Sequence, residues 1–215
     1  MKSKNPKTKR VTKHTSQIEQ EFTEGRQKQT RLVICITGMP GAGKSTISEV
    51  AQDLGFEVFR MGDDVRMETE RRKLEPSDEN LGAIMLELRQ KHGPVAIASL
   101  SKERIERESK SRFVLIDGVR NMNEFQEFKK LGSALLIAVH ASPQRRYHFL
   151  KVRGRSDSPS NWQSFEARDR RELSVGVGET IALADDIVPN DGSLEELKQN
   201  SEKLFRAIME RADEK

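Results

Sequence analysis

Gly38-Met39-Pro40-Gly41-Ala42-Gly43-Lys44-Ser45 is the stretch of this sequence that decides the fold. It matches the pattern G-x-x-x-x-G-K-[ST] at every fixed position, and it lies between an apolar run at residues 32–36 and a helical segment at 45–54. Glycines let successive backbone N–H groups turn toward one anion, and the start of the following helix adds partial positive charge. The stretch therefore predicts a loop that binds the phosphates of a nucleotide.

The side chains of this loop are those that a magnesium nucleotide requires. We expect ATP as the nucleotide, with the catalytic Lys44 reaching its β- and γ-phosphates and the Ser45 hydroxyl binding Mg²⁺. The residues expected to contact ATP are Gly38, Met39, Pro40, Gly41, Ala42, Gly43, Lys44, Ser45 and Thr46.

Five short apolar runs rich in β-branched residues follow one another along the chain, at residues 32–36, 57–59, 113–116, 134–139 and 186–188. They are continuous rather than alternating, as expected of strands covered on both faces, and helical segments separate them. Strands that alternate with helices give a parallel sheet with right-handed crossovers. Together with the glycine-rich loop, the pattern predicts an α/β fold of the P-loop NTPase type: three layers, with a five-stranded parallel sheet flanked by helices.

Two further motifs follow the second and third of these runs. Gly62-Asp63-Asp64-Val65-Arg66 comes after the second, and Asp117-Gly118-Val119-Arg120 ends the third. Ligands of open α/β sheets bind outside the carboxyl ends of the strands, so both motifs are expected to face the phosphate loop. Asp117 is expected to hold Mg²⁺, directly or through water, while Arg66 and Arg120 offer planar guanidinium groups to a second phosphate.

These two motifs resemble the acceptor-site motifs of adenylate kinase and related nucleoside monophosphate kinases. In those enzymes the two arginines hold the acceptor's phosphate, which implies that role for Arg66 and Arg120. The family usually has Phe-Pro where this chain has Val119 alone, so the second motif is one residue shorter here. Residues 184–197 resemble the closing segment of dephospho-CoA kinases. Residues 31–210 as a whole most resemble an uncharacterised archaeal adenylate-kinase-like family.

The resemblance also implies two functional regions within a kinase domain spanning residues 31–215: a helical acceptor-binding insertion at about 63–110 and a short lid at about 153–171. Seven arginines lie between residues 145 and 171, around a loop-like stretch at 154–160. Arg155 is expected to be catalytic, with Arg153 and Arg168 binding substrate, because lid arginines stabilise the transferring phosphoryl group. For Arg145, Arg146 and Arg170 the alternative is a solvated basic helix face.

Several of these residues also have a structural interpretation. Arg66 and Arg120 can be partners in surface ion pairs. Asp63 can be a catalytic carboxylate, or it can cap a helix that begins near Asp64. If the acceptor is a hydroxyl group, Asp63 or Asp64 is the candidate general base.

Charge divides the 215-residue chain into two unequal parts. The whole chain has a net charge of +4, but residues 1–30 alone hold eight basic and three acidic residues, and the rest is close to neutral. Residues 1–30 are predicted to be a disordered basic extension, either solubilising or able to follow the phosphate backbone of a nucleic acid. A single cysteine, Cys35, and the absence of any apolar run of about 20 residues favour a cytoplasmic protein without a membrane partner.

The sequence thus predicts an ATP- and Mg²⁺-dependent phosphotransferase, with a small phosphorylated acceptor as its other ligand. A nucleoside monophosphate is the favoured acceptor, and a ribose hydroxyl, as in dephospho-CoA, is the first alternative. The second alternative is a nucleotide-switched ATPase with a role in RNA or ribosome binding, which the basic extension would suit.

Overall fold

The computed structural model describes residues 31–154 and 157–213, so the predictions made for residues 1–30 and for Arg155 lie outside the described residues. Five strands form one sheet, in the order β2-β3-β1-β4-β5, and every neighbouring pair is parallel. The strands are β1 (Leu32–Thr37), β2 (Glu57–Arg60), β3 (Phe113–Val119), β4 (Ser133–His140) and β5 (Asp186–Pro189). The predicted five-stranded parallel sheet is confirmed.

Helices cover both faces of this sheet. They are α1 (Lys44–Asp53), α2 (Met61–Arg71), α3 (Asp78–His92), α4 (Ala96–Glu108), α5 (Met122–Phe128), α6 (Pro143–Arg153), α7 (Trp162–Ser174), α8 (Val177–Ala182) and α9 (Leu194–Asp213), with a short 3₁₀ helix at Lys129–Leu131. Three of them, α2, α3 and α4, lie between β2 and β3, where the acceptor-binding insertion is predicted. In the described part of the chain, no helix is both long enough and apolar enough to cross a bilayer.

The continuous apolar character of the strands follows from burial on two sides. Along β1, Val33 and Cys35 pack into a core with α2 to α5, while Ile34 and Ile36 pack into a second core with α1 and α9. Successive side chains of a strand point to opposite faces, so a strand with a core on each face is apolar along its length, up to the polar residues at its carboxyl end. The three-layer prediction is confirmed by these two cores.

The carboxyl end of β3 departs from the regular ladder. Ile36 pairs with Asp117, but the next residue of β1, Thr37, pairs with Val119, so that Gly118 is skipped. Gly118 has a φ of 106°, a left-handed conformation that favours glycine. Beyond the apolar run at residues 113–116, the strand continues through this irregularity to Val119.

Candidate functional site

A cavity of about 490 Å³ lies at the edge of the sheet where the strands end, within the usual size range of small-molecule sites. It brings together every predicted site residue that the structure describes except the buried Met39 and Asp64, the alternative candidate base. The predicted residues that line the cavity are Gly38, Pro40, Gly41, Ala42, Gly43, Lys44, Ser45, Thr46, Asp63, Arg66, Asp117, Arg120, Arg153 and Arg168. These residues lie on or directly after β1, α1, α2, β3, α6 and α7, so the cavity forms only when these elements pack together.

The phosphate loop connects β1 to α1 and requires glycine for two reasons. Gly38 and Gly41 have φ angles of 143° and 81°. A Cβ atom on Gly38 would lie 2.4 Å from the carbonyl oxygen of Val139, and one on Gly41 would lie 2.6 Å from that of Arg146. The loop thus packs directly against the backbone of β4 and α6, which holds its shape.

Lys44 folds back over this loop. Its Nζ donates to the carbonyl oxygens of Gly38 at 2.7 Å and of Met39 at 3.1 Å. Burial lowers the pKa of Lys44 to about 8, partly opposed by the negative charge of Asp117. At neutral pH the ammonium group is still protonated, so the loop presents a full positive charge to an anionic ligand.

Ser45 and Asp117 both line the cavity and carry side-chain oxygen atoms. Asp117 lies on β3, only 8% exposed, between Ile36 of β1 and Arg60 of β2 in the sheet register. Its Oδ2 is 3.5 Å from the hydroxyl of Ser48, one turn of α1 beyond Lys44. A hydroxyl and a carboxylate are hard oxygen ligands of the kind that Mg²⁺ prefers when phosphates and water complete its coordination, so these residues fit a nucleotide-bound Mg²⁺. Among residues 31–154 and 157–213, no group of three His, Cys, Asp or Glu is placed to hold a metal by itself.

Asp63 lies in the first turn of α2 and lines the cavity. The alternative that it caps a helix beginning near Asp64 is wrong, because the helix begins at Met61 and Arg60 is the N-cap residue. Asp64 is 6% exposed and forms an ion pair with Arg104 at 3.0 Å, and it is absent from the cavity lining. Of the two candidate bases, only Asp63 borders the space in which a ligand would lie.

Arg120 lines the same cavity and is held there by three hydrogen bonds. Its Nε donates to Glu172 Oε2 at 2.6 Å and its Nη1 to the carbonyl oxygen of Gly118 at 2.9 Å. Its backbone N–H donates to Glu124 Oε2 at 2.7 Å, and Glu124 is itself fully buried in an ion pair with Arg89 at 2.5 Å. Arg120 does form an ion pair, as one interpretation expected, but inside the cavity rather than on the surface.

The carboxylate of Glu172 is charged in this setting. Burial works against the charge, but Arg120 and, beyond it, Arg168 outweigh that effect and hold the pKa of Glu172 below its usual value. The Arg120–Glu172 pair is therefore close to neutral as a unit, and it fixes the guanidinium plane at the cavity wall.

Three arginines predicted to bind substrate meet at one carboxylate. Asp157 Oδ2 lies 3.0 Å from Nη2 of Arg168 and 3.7 Å from Nη2 of Arg66, and Asp157 Oδ1 lies 3.5 Å from Nη2 of Arg153. Burial opposes the charge of Asp157, but the three arginines hold its pKa below the usual value. Residues far apart in the chain thus form one cluster that borders the cavity.

Neither Arg145 nor Arg146 lies on a fully solvated helix face, and the reason differs between the two residues. Arg146 is 4% exposed, pairs with Asp169 of α7 at 2.5 Å and donates to the carbonyl oxygen of Pro40 in the phosphate loop at 3.2 Å, so that interpretation is wrong for it. Arg145 is half-buried, lines the cavity and donates to the carbonyl oxygen of Gly192 at 2.6 Å. Arg170 is exposed, as that interpretation expects.

Sequence reasoning missed the acidic partners of these arginines. Glu172 lies 52 residues from Arg120, Asp169 lies 23 from Arg146 and Asp157 is 91 residues beyond Arg66. No motif spacing marks such pairs in one sequence. The only signal in the sequence is that acidic residues lie within or next to the arginine-rich stretch: Asp157 before α7, and Asp169 and Glu172 on it.

The comparisons with known proteins agree with this fold. Residues 37–166 match the family model described as an AAA domain. A UPF0200 protein from Hyperthermus butylicus is 43% identical over 83% of this chain and 95% of its own length. A UPF0200 protein from Methanocaldococcus jannaschii is 41% identical over 83% of this chain and 91% of its own length.

Solved structures share the fold at low sequence identity. TT1252 from Thermus thermophilus has a TM-score of 0.57 and 19% identity, over 83% of this chain and 98% of that one. Shikimate kinase from Acinetobacter baumannii in complex with shikimate has a TM-score of 0.54 and 14% identity, over 85% and 96%. The predicted resemblance to an archaeal family of P-loop kinase-like proteins is confirmed: the chain belongs to the UPF0200 family and has the P-loop kinase fold.

Proposed function

We propose that this protein transfers the γ-phosphoryl group of ATP, with Mg²⁺, to the phosphate of a nucleoside monophosphate. The single observation that carries the proposal is that two anion-binding groups of residues line one cavity. We call the loop with Lys44 the first wall, and the surface that carries Arg66 and Arg120 the second wall. A switch or motor ATPase requires the first wall alone, whereas transfer to a phosphorylated acceptor requires both.

The residues of the first wall would bind and orient the nucleotide. Lys44 would exchange its contacts with the loop carbonyls for the β- and γ-phosphate oxygens. Ser45 and Asp117 would hold Mg²⁺, which neutralises charge on those phosphates when bound. Arg145 and Gly192 also line the cavity, and we assign them to the nucleoside attached to the phosphates.

The residues of the second wall would fix the acceptor. Arg120 is oriented by Glu172, and Arg66 lies on α2, so their two planar guanidinium groups would bind the phosphate dianion of the acceptor. Arg153 and Arg168 would add positive charge near the group in transfer and displace water, which would otherwise accept the phosphoryl group.

The effect of substituting Asp63 distinguishes a phosphate acceptor from a hydroxyl acceptor. A monophosphate oxygen is already ionised at neutral pH and needs no base, whereas a ribose hydroxyl must lose a proton to a carboxylate. We expect Asp63→Asn to lower kcat less than about tenfold with a monophosphate acceptor, against about 10²–10⁴-fold if the acceptor were a hydroxyl. The measurement is steady-state kcat with the best acceptor found, and Asp186→Asn on the exposed β5 edge is the matched control.

A panel of acceptors tests the proposal itself. ADP formation is followed with nucleoside monophosphates, dephospho-CoA, shikimate or no acceptor, and the product is identified by mass. Transfer to a monophosphate supports the proposal. Transfer to a hydroxyl group refutes the proposed acceptor, and ATP loss that no acceptor changes would favour the ATPase switch instead.

A further inference from the structure

Asp157 occupies the centre of the arginine cluster that the proposed function assigns to substrate phosphates. Its carboxylate is reached from three separate helices: by Arg66 of α2, by Arg153 at the end of α6 and by Arg168 of α7. Arg168 also donates through Nη1 to the backbone carbonyl oxygen of Asp157 at 2.7 Å. The cluster therefore surrounds a negatively charged group that belongs to the protein itself.

The fit between this carboxylate and the cluster is incomplete. The contacts from Arg153 and Arg66, at 3.5 and 3.7 Å, are too long for good hydrogen bonds. Asp157 Oδ1 is buried and accepts no hydrogen bond from the residues that the structure describes. A phosphate group is larger than a carboxylate and carries three terminal oxygens, so it would reach donors that a carboxylate leaves at a distance.

The charge balance points the same way. Three guanidinium groups face the single negative charge of Asp157, while Arg168 and Arg171 share a second carboxylate, Asp78, at 3.2 and 2.7 Å. Arg168 also lies close to the charge of Glu172, which is already paired with Arg120. Three guanidinium groups around one carboxylate suit a dianion, and a phosphate monoester carries close to two negative charges at neutral pH.

We propose that Asp157 is an internal placeholder for the acceptor's phosphate. In the protein without ligand it holds the three arginines together, and the phosphate of the acceptor displaces it by binding to the same guanidinium groups. This inference rests on the proposed function for the identity of the acceptor, but the competition itself concerns only the cluster and an anion.

Competition with an internal anion lowers the apparent affinity of the site, because the binding-competent state is only a fraction of the ligand-free population. Asp157→Asn keeps the shape of the side chain and removes its charge. We expect this variant to bind inorganic phosphate at least about fivefold more tightly than the unsubstituted protein, since the charge of Asp157 then no longer competes for the three arginines.

The experiment measures the dissociation constant of inorganic phosphate by equilibrium dialysis with the full chain. Asp186→Asn is the control for overall charge, because Asp186 is exposed on the edge strand β5, and its affinity should equal that of the unsubstituted protein. The double variant Arg66→Ala/Asp157→Asn should lose the gain, which assigns the added binding to the cluster rather than to the phosphate loop.

Unchanged or weaker binding by Asp157→Asn would overturn the proposal and make Asp157 a structural partner of the arginines. If Asp157→Asn does not fold, Asp157→Ser replaces it. Failure of both to fold, without rescue by millimolar phosphate, would also overturn the proposal.

The phosphate-binding experiment and the proposed function can fail independently of each other. Tighter phosphate binding in a protein that transfers nothing to monophosphates would refute the acceptor and keep the placeholder. If the protein transfers phosphate to a monophosphate but Asp157→Asn leaves the affinity for inorganic phosphate unchanged, the proposed function stands and the placeholder role of Asp157 is refuted.

Discussion

Lys44→Ala is expected to lower kcat/KM for phosphoryl transfer by about 10³-fold or more, which corresponds to about 4 kcal/mol of transition-state stabilisation. The substitution removes the one ammonium group that lies on the phosphate loop, and the charge on the β- and γ-phosphates increases as the bond to the leaving oxygen breaks. Steady-state rates with the best acceptor test this, with Lys110→Ala as the control because Lys110 is exposed and distant from the cavity lining.

The same variant should remain folded. Because burial lowers the pKa of Lys44 from 10.5 to about 8, its charged form is less favourable in the folded protein than in the unfolded chain. That penalty is full below pH 8 and disappears as the pH rises to about 10.5, so at pH 7 the melting temperature of Lys44→Ala without ligand should not fall below that of the unsubstituted protein. Mg·ATP should stabilise the unsubstituted protein and not the variant. Protection by Mg·ATP that survives the substitution would contradict the role given to Lys44.

Arg120→Ala is expected to have two effects of different origin. It should destabilise the protein by about 3 kcal/mol, because it leaves Glu172 buried without its closest partner, although Arg168 and Lys44 remain near. It should also raise the KM of the acceptor by about tenfold or more, because a charge-assisted contact to phosphate is lost.

A second substitution separates these effects. Arg120→Ala/Glu172→Gln removes the isolated charge as well, so most of the lost stability should return in chemical denaturation while the acceptor's KM stays raised. Arg107→Ala, at an exposed ion pair on α4, serves as the control. An acceptor KM that recovers together with stability would show that Arg120 has only a structural role.

The sequence predicts the parts of the site that depend on local order. The loop at 38–45 lies where the pattern requires it, and Arg66 and Arg120 reach the cavity because the carboxyl ends of β2 and β3 open onto the same edge.

The parts that depend on pairing between distant segments could not be predicted in this way. Arg145 and Arg146 are neighbours in the chain, but on a helix they project about 100° apart, so one lines the cavity and the other is buried against Asp169. Charge counts cannot tell which of them is buried. In the same way, Asp157 and Glu172 are ordinary acidic residues of an arginine-rich stretch until the fold sets them against Arg66 and Arg120.

The affinity of a dinucleoside polyphosphate tests most directly whether two anion-binding walls face each other in one cavity. Such a compound should span from the phosphate loop to Arg66 and bind with a dissociation constant at least about 100-fold below that of Mg·ATP, because its second half binds at a high effective concentration. Arg66→Ala should remove most of this gain and leave the affinity for Mg·ATP nearly unchanged. Equal affinities for the bridging compound and for Mg·ATP in the unsubstituted protein would contradict the two-walled site and, with it, the proposed transfer to a phosphorylated acceptor.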